Sequence, residues 1–269
     1  MSFRVEPDPS LKDALEQADH PLAGIWVCSA SPLIAEICAG AGFDWLFIDG
    51  EHSPNDLQNI LAQLQAVRSY PVVPVVRPAV NDPVVIKQFL DLGVQSLIIP
   101  MVNDAQQAAA AVAACHYPPK GVRGVGSALA RSARWNRIPD YLTRADETIT
   151  VMVQIEADEA VRNVQAIVET EGVDGIFIGP SDLAASMGVI GQQNHPDVVA
   201  AVIKSIDAAK AAGKYAGVNA FDQKTARQYM DAGADYVGVG ADVALLARAT
   251  EALAASFASG SQAPAPKSY

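Results

Sequence analysis

The chain has 269 residues, 50% of them hydrophobic, and it carries 19 basic against 30 acidic side chains for a net charge of −11. That length fits one large α/β domain with a sizeable core better than two ordinary ones. The acidic balance argues against a nucleic acid or an anionic membrane as partner, since both require clustered Lys and Arg.

In chain order, the first β-rich run is GIWVCS at 24–29. GFDWLFID (42–49), a helical SPNDLQNILAQLQAVRS (53–69), VVPVVRP (72–78), a helical NDPVVIKQFLDLG (81–93) and GVQSLIIP (93–100) follow. Residues 115–147 are a long insertion with five Arg. Beyond it come TITVMVQIE (148–156), GVDGIFIG (172–179), a helical HPDVVAAVIKSIDAAKAAG (195–213), KYAGVNA (214–220) and GADYVGVG (233–240). The glycines at 42, 93, 172 and 233 open strand runs where a helix ends, and glycine relieves the left-handed strain of a helix C-cap. Near-continuous apolar runs suit parallel strands covered on both sides. Eight such runs alternating with helices read as a (β/α)8 TIM barrel, one catalytic domain over 1–257, with a polar tail at 258–269 expected to be flexible. A doubly wound open sheet is the alternative, but its usual glycine-rich turn after the first strand is missing.

Active sites of such barrels lie at the C-terminal ends of the strands, and that rule selects residues before any motif is invoked. The second strand ends at Asp49, followed by Gly50, Glu51 and His52. The third ends at Arg77, the fifth at Gln154 and Glu156, and the seventh near Asn219. The sixth leads into Gly179, Pro180, Ser181 and Asp182. Glu156 and Asp182 on neighbouring strands would repel unless paired, protonated or bridged by a cation, and oxygen donors suit a hard divalent ion. A 2-oxo acid could chelate such an ion; the plain alternative is two solvated rim charges or Arg partners. Asp49 could hold one nitrogen of His52 and leave the other as a base, or could instead cap a helix near Pro54, a task for which Ser53 competes. Arg77 could face a developing oxyanion or form a structural ion pair.

Absences are also informative. No Lys falls at the C-terminal end of a strand, so a Schiff-base mechanism lacks its nucleophile. GADYVGVGAD (233–242) is a weak candidate for a phosphate loop, and no nucleotide cofactor is expected. Cys28, Cys38 and Cys115 have no CxxC spacing, which implies neither a disulfide scaffold nor a thiolate metal site and points to a reducing, cytoplasmic setting. There is no apolar run of about 20 residues to span a bilayer and no apolar core of a secretory signal at the start.

FDWLFIDGEHSPND (43–56), VVRP (75–78), YPPKGVRGVGSALARSARWNRIPDY (117–141), VQIE (153–156) and GVDGIFIGPSDLA (172–184) together resemble the HpcH/HpaI family of metal-dependent pyruvate aldolases. The likeness runs from about residue 20 to about residue 257. It implies that Glu156 and Asp182 hold a divalent ion (Mg²⁺, Mn²⁺ or Co²⁺) and that His52, oriented by Asp49, is the base. It further implies that Arg77 stabilises the pyruvate enolate and keto oxygen, and that Gln154 contacts substrate or metal-bound water. The backbone at Gly179 and Ser181 would receive the pyruvate carboxylate, and Glu51 would stand in the shell around the base. The implied reaction is reversible cleavage of a 4-hydroxy-2-oxo acid to pyruvate and an aldehyde, within aromatic catabolism. The implied assembly is a homohexamer, a dimer of trimers with the eighth helix exchanged. Asn219 departs from the family by placing a polar group on the aldehyde side, which keeps open a hydroxylated aldehyde, a sugar acid or hydroxypyruvate as substrate. Two competing classes are another lyase or isomerase on the same barrel, and a barrel that only senses a 2-oxo acid. The first lacks an evident phosphate or CoA loop. The second has no need of a base.

Overall fold

Eight short apolar runs close on themselves in the computed structural model, which describes residues 5–258. The strands are β1 (Leu22–Val27), β2 (Trp45–Asp49), β3 (Val73–Arg77), β4 (Ser96–Ile99), β5 (Thr150–Ile155), β6 (Gly175–Ile178), β7 (Tyr215–Asn219) and β8 (Tyr236–Ala241). All are parallel, each pairs with the next, and β8 returns to β1. This is the (β/α)8 barrel read from the sequence. Of the segment expected to be a flexible tail, only Ala258 falls within the described residues.

The glycines expected to end helices do so with positive φ: +96° at Gly42, +90° at Gly93, +87° at Gly172 and +102° at Gly233. Two helices begin as read, with Pro83 and Pro196 in their first turns. The helix expected near Pro54 begins instead at Leu57, capped by Asp56. Neither Asp49 nor Ser53 caps it, because the Ser53 hydroxyl and the Asn55 amide both donate to the Asp49 carbonyl and hold 50–56 as a loop.

Two apolar layers form. The larger lies between the strands and the surrounding helices. The smaller fills the barrel with Trp45, Phe47, Met152, Phe177 and Tyr236. Its rings meet at centroid distances of 5.4 Å (Phe47–Phe177) to 6.2 Å (Trp45–Phe177), the range of favourable aromatic pairs. Gly24 makes room for it, since a Cβ there would stand 2.2 Å from the Trp45 ring. Leu11 and Leu15, from a helix at Leu11–Gln17 absent from the sequence reading, close the N-terminal end. Its signal was a capping box, Ser10 with Asp13, ahead of leucines one turn apart. Leu11 and Leu15 thus seal the ring layer from that end, and a cavity at the rim opens at the other.

Candidate active site

Strand ends deliver most of the chemistry to one rim. Asp49, Arg77 and Asn219 are the last residues of β2, β3 and β7, and Asp49 and Arg77 are register partners. A cavity of about 300 Å³ opens among them. Asp49, His52, Arg77, Gln154, Gly179, Ser181, Asp182 and Asn219 all line it. Glu156 stands directly behind, with its Oε2 3.5 Å from where a Cβ on Gly179 would be. A side chain at 179 would fill this cradle.

Arg77 is the fixed centre. Its side chain is 3% exposed and that of Asp49 1%. Nε donates to Asp49 Oδ1 at 2.9 Å, and Nη1 stands 2.8 Å from Glu51 Oε2. The second contact is ionic and lacks hydrogen-bond alignment, so that oxygen has no hydrogen-bond donor. Nη1 also makes a long 3.5 Å contact with Gln154 Oε1. The guanidinium lies over the Trp26 and Phe47 rings at 4.8 and 5.4 Å. Among the described residues Nη2 has no protein acceptor, so one edge of the fork remains available.

Asp49 and His52 are joined differently from the expected dyad. Asp49 accepts from the backbone N–H of Glu51 (3.0 Å) and of His52 (3.3 Å), besides Arg77. Among the described residues no hydrogen bond links it to the imidazole. The reason is geometric: the buried carboxylate is already committed to a guanidinium and two amides, while His52 projects outward and is exposed. Asp49 thus shapes the loop that carries His52 and leaves the ring itself free.

Carboxylates crowd the opposite wall. Glu156 Oε1 accepts from the Met101 N–H at 2.7 Å, and Oε2 accepts from the Gln154 amide. Burial raises the Glu156 carboxyl above the ordinary range; nearby Glu51 and Asp182 add to this, while the Met101 N–H and Arg77 oppose it. Burial likewise raises Glu51, against the pull of Arg77 and His52. Asp49, Glu51, Glu156 and Asp182 thus face one guanidinium, and Arg77 is already committed to Asp49. Such a surplus of oxygen donors fits a hard divalent cation. Only two carboxylates, Glu156 and Asp182, are proposed as its protein ligands. Among the described residues no group of three or more His, Cys, Asp or Glu is placed to hold a metal ion.

The remaining candidates sort plainly. The Ser181 hydroxyl accepts from the Gln193 amide, and its backbone N–H belongs to the first turn of helix Pro180–Ser186, where amides lack helical acceptors. Asn219 Oδ1 is buried without a hydrogen-bond partner. No Lys lines the cavity. The weak phosphate loop is filled from within: Asp242 accepts from the N–H groups of Cys28, Ser29 and Val243. Sequence reasoning missed Trp26, Phe177, Phe221 and Val243, which give the cavity its apolar wall. An inward-pointing Trp26 was signalled by alternation with Ile25 and Val27 on a strand.

A family model, HpcH/HpaI aldolase/citrate lyase, matches residues 22–249. The chain belongs to this family. A 4-hydroxy-2-oxo-heptane-1,7-dioate aldolase of Salmonella dublin is 55% identical over 248 residues, covering 92% of this chain and 94% of that one. The enzyme of the same name from Shigella sonnei is 54% identical over 258 residues, 96% and 97% of the two chains. A solved HpcH/HpaI aldolase/citrate lyase family protein from Burkholderia cenocepacia superposes with a TM-score of 0.86 at 41% identity, covering 90% of this chain and 96% of that one. The family match spans all eight strands, so the rim residues lie within the shared part of the fold.

Proposed function

We propose that this family member is a class II aldolase that reversibly cleaves 4-hydroxy-2-oxo-heptane-1,7-dioate to pyruvate and an aldehyde, the activity named for its relatives. The observation that carries the reading is the buried Arg77 fork with one free edge, in the same cavity as His52 and beside the Glu156–Asp182 pair. A divalent cation held by Glu156 and Asp182 would act as a Lewis acid on the 2-keto group of a chelating acid.

The protein's own groups account for the rest. Arg77 presents Nη2 to the oxygen on which negative charge develops, and Asp49 keeps the fork from turning away. His52 offers an imidazole nitrogen, directly or through one water, for the proton that moves between the pyruvate methyl carbon and solvent. The Ser181 N–H suits the pyruvate carboxylate, and the Gln154 amide holds the Glu156 carboxylate in place. Trp26, Phe221 and Val243 form an apolar strip along which the aldehyde chain can lie, beside Asn219. Relatives at 54–55% identity carry the heptanedioate name, which does not favour the sugar-acid or hydroxypyruvate alternative.

A homohexamer is part of the proposal. The helix Asp242–Phe257 buries only Asp242, and it exposes Leu246 (58%) and Phe257 (83%). An apolar helix face so open supports packing against another copy. The deciding assay couples pyruvate release from 4-hydroxy-2-oxoheptanedioate to lactate dehydrogenase. Turnover is expected to vanish with EDTA, to return with Mg²⁺, Mn²⁺ or Co²⁺, and to survive borohydride plus pyruvate. Activity persisting in EDTA, with a borohydride-trapped Lys, would reject the reading.

A further inference from the structure

We propose that a second ligand site lies at the opposite end of the barrel, where a cavity walled by Arg68 and Arg131 takes a small organic anion, a phosphate or carboxylate head on an apolar body. The cavity measures about 310 Å³ and opens beside the N-terminal ends of β3 and the helix Leu11–Gln17. That volume is at the small-metabolite end of ligand pockets, which run from about 300 to 1,000 Å³. Leu64, Val67 and Val73 supply an apolar wall. Asp8 is the one acidic residue that lines it.

Two guanidinium groups pair with that single carboxylate, and a third, Arg131, lies beside them. Arg134 Nη2 reaches Asp8 at 2.7 Å and Arg68 Nε at 3.3 Å. Arg131 and Arg134 both lie against Gly93, where a Cβ would be 3.0 and 3.1 Å from their Nη1 atoms. Arg131 Nη1 donates to the Leu92 carbonyl at 2.5 Å. Its Nε and Nη2, and both Nη atoms of Arg68, have no acceptor among the described residues. Burial and the neighbouring Arg134 depress Arg131 to about 10, so it stays charged at neutral pH while the fold opposes that charge. Three cations against one anion leave two positive charges uncompensated, in a chain whose net charge is −11. An anion placed between Arg68 and Arg131 would relieve them with charge-assisted hydrogen bonds. Nothing in the aldolase reading uses this end of the barrel, so the two stand or fall separately.

Calorimetric titration with phenyl phosphate, hexanoate and inorganic phosphate, in buffer holding Mg²⁺ and saturating pyruvate, tests the site. One ligand per chain is expected for phenyl phosphate or hexanoate, whichever head the site prefers, with inorganic phosphate weaker than phenyl phosphate for want of the apolar body. Arg68→Gln and Arg131→Gln should each weaken binding about tenfold or more, the loss expected for one charged hydrogen bond. Arg68 is half exposed, so its variant keeps the test open if Arg131→Gln misfolds. Absence of heat from all three ligands, equal affinity in the folded variants, or binding only when pyruvate is omitted would each overturn the proposal.

Discussion

Replacing Asp49 with Asn keeps the shape of the side chain and removes its charge. In the folded protein that leaves Arg77, 3% exposed, with Glu51 as its one remaining anionic contact. Breaking a buried ion pair by removing one partner costs about 3–5 kcal/mol. Glu51 Oε2, 2.8 Å from Nη1, still offsets part of the stranded charge, and an amide oxygen can keep one of the two backbone N–H bonds. The lower end is therefore expected, about 3 kcal/mol, which for a chain of this size lowers Tm by about 6–12 °C. Turnover should fall further than stability accounts for, because a guanidinium displaced by about 1 Å can cost about 100-fold in rate. Urea midpoints by circular dichroism and retro-aldol kinetics on the folded fraction measure the two effects. Asp19→Asn, at an exposed ion pair with His20, is the control and should leave both unchanged. If Asp49→Asn melts with the wild type and turns over normally, the buried pair is not what fixes Arg77.

His52→Ala should melt like the wild type, since the side chain is exposed, yet lose about 10²–10⁴-fold in deuterium exchange at the pyruvate methyl group, read by proton NMR. Glu156 is raised by burial, so its contribution to stability is present below the ordinary value of 4.5 and is lost as pH rises through the folded value. Relative to a Glu156→Gln variant, the metal-stripped protein should therefore gain stability as pH falls from neutrality toward 4.5, and equal slopes in the two would refute this assignment. Burial pushes the Cys28 thiol up to about 12, so iodoacetamide at pH 8 should modify it far more slowly than a free thiol, as mass spectrometry can follow. If the proposed hexamer packs through this helix, Leu246→Glu should give smaller species than the wild type on sedimentation; a hexamer that survives it would show that the exposed helix face is not the contact.

How much of this was legible in the sequence depends on which interaction sets each feature. The eight strands were readable because a parallel strand covered on both sides must be apolar along its length, and each of four began at a glycine whose positive φ the turn demands. Asp49, Arg77 and Asn219 were readable as rim residues because a strand's last position is fixed by its register. The helix start at Asp56 was not, since Ser53 and Asn55 spend their side chains on the Asp49 carbonyl, a bond that depends on where the loop returns in space. The Trp26 and Phe221 wall was hidden for a similar reason. An inward aromatic on β1 looks like core until the opposite side of the barrel is known to leave space for a ligand. Asp8 joins Arg68 and Arg134, 60 and 126 residues away, and no local pattern announces the cluster they form with Arg131.

The two halves of the rim differ in how firmly they are built. Arg77, Asp49, Gln154 and Glu156 are buried and tied to one another, whereas His52, Ser181 and Asp182 stand exposed. A buried guanidinium in a ring-lined socket can hold its geometry against an incoming charge without reorganising, which is where preorganised electrostatic stabilisation is most effective. A proton-transfer group needs the opposite, access to solvent and freedom to exchange. Asp49 reconciles the demands by clamping Arg77 with its carboxylate while shaping, through two backbone N–H groups, the loop from which the imidazole projects. On the proposed function, ordering of the exposed half would fall to the bound acid and its cation. On this account, substitutions in the buried half should alter the melting temperature and rate together, and those in the exposed half the rate alone.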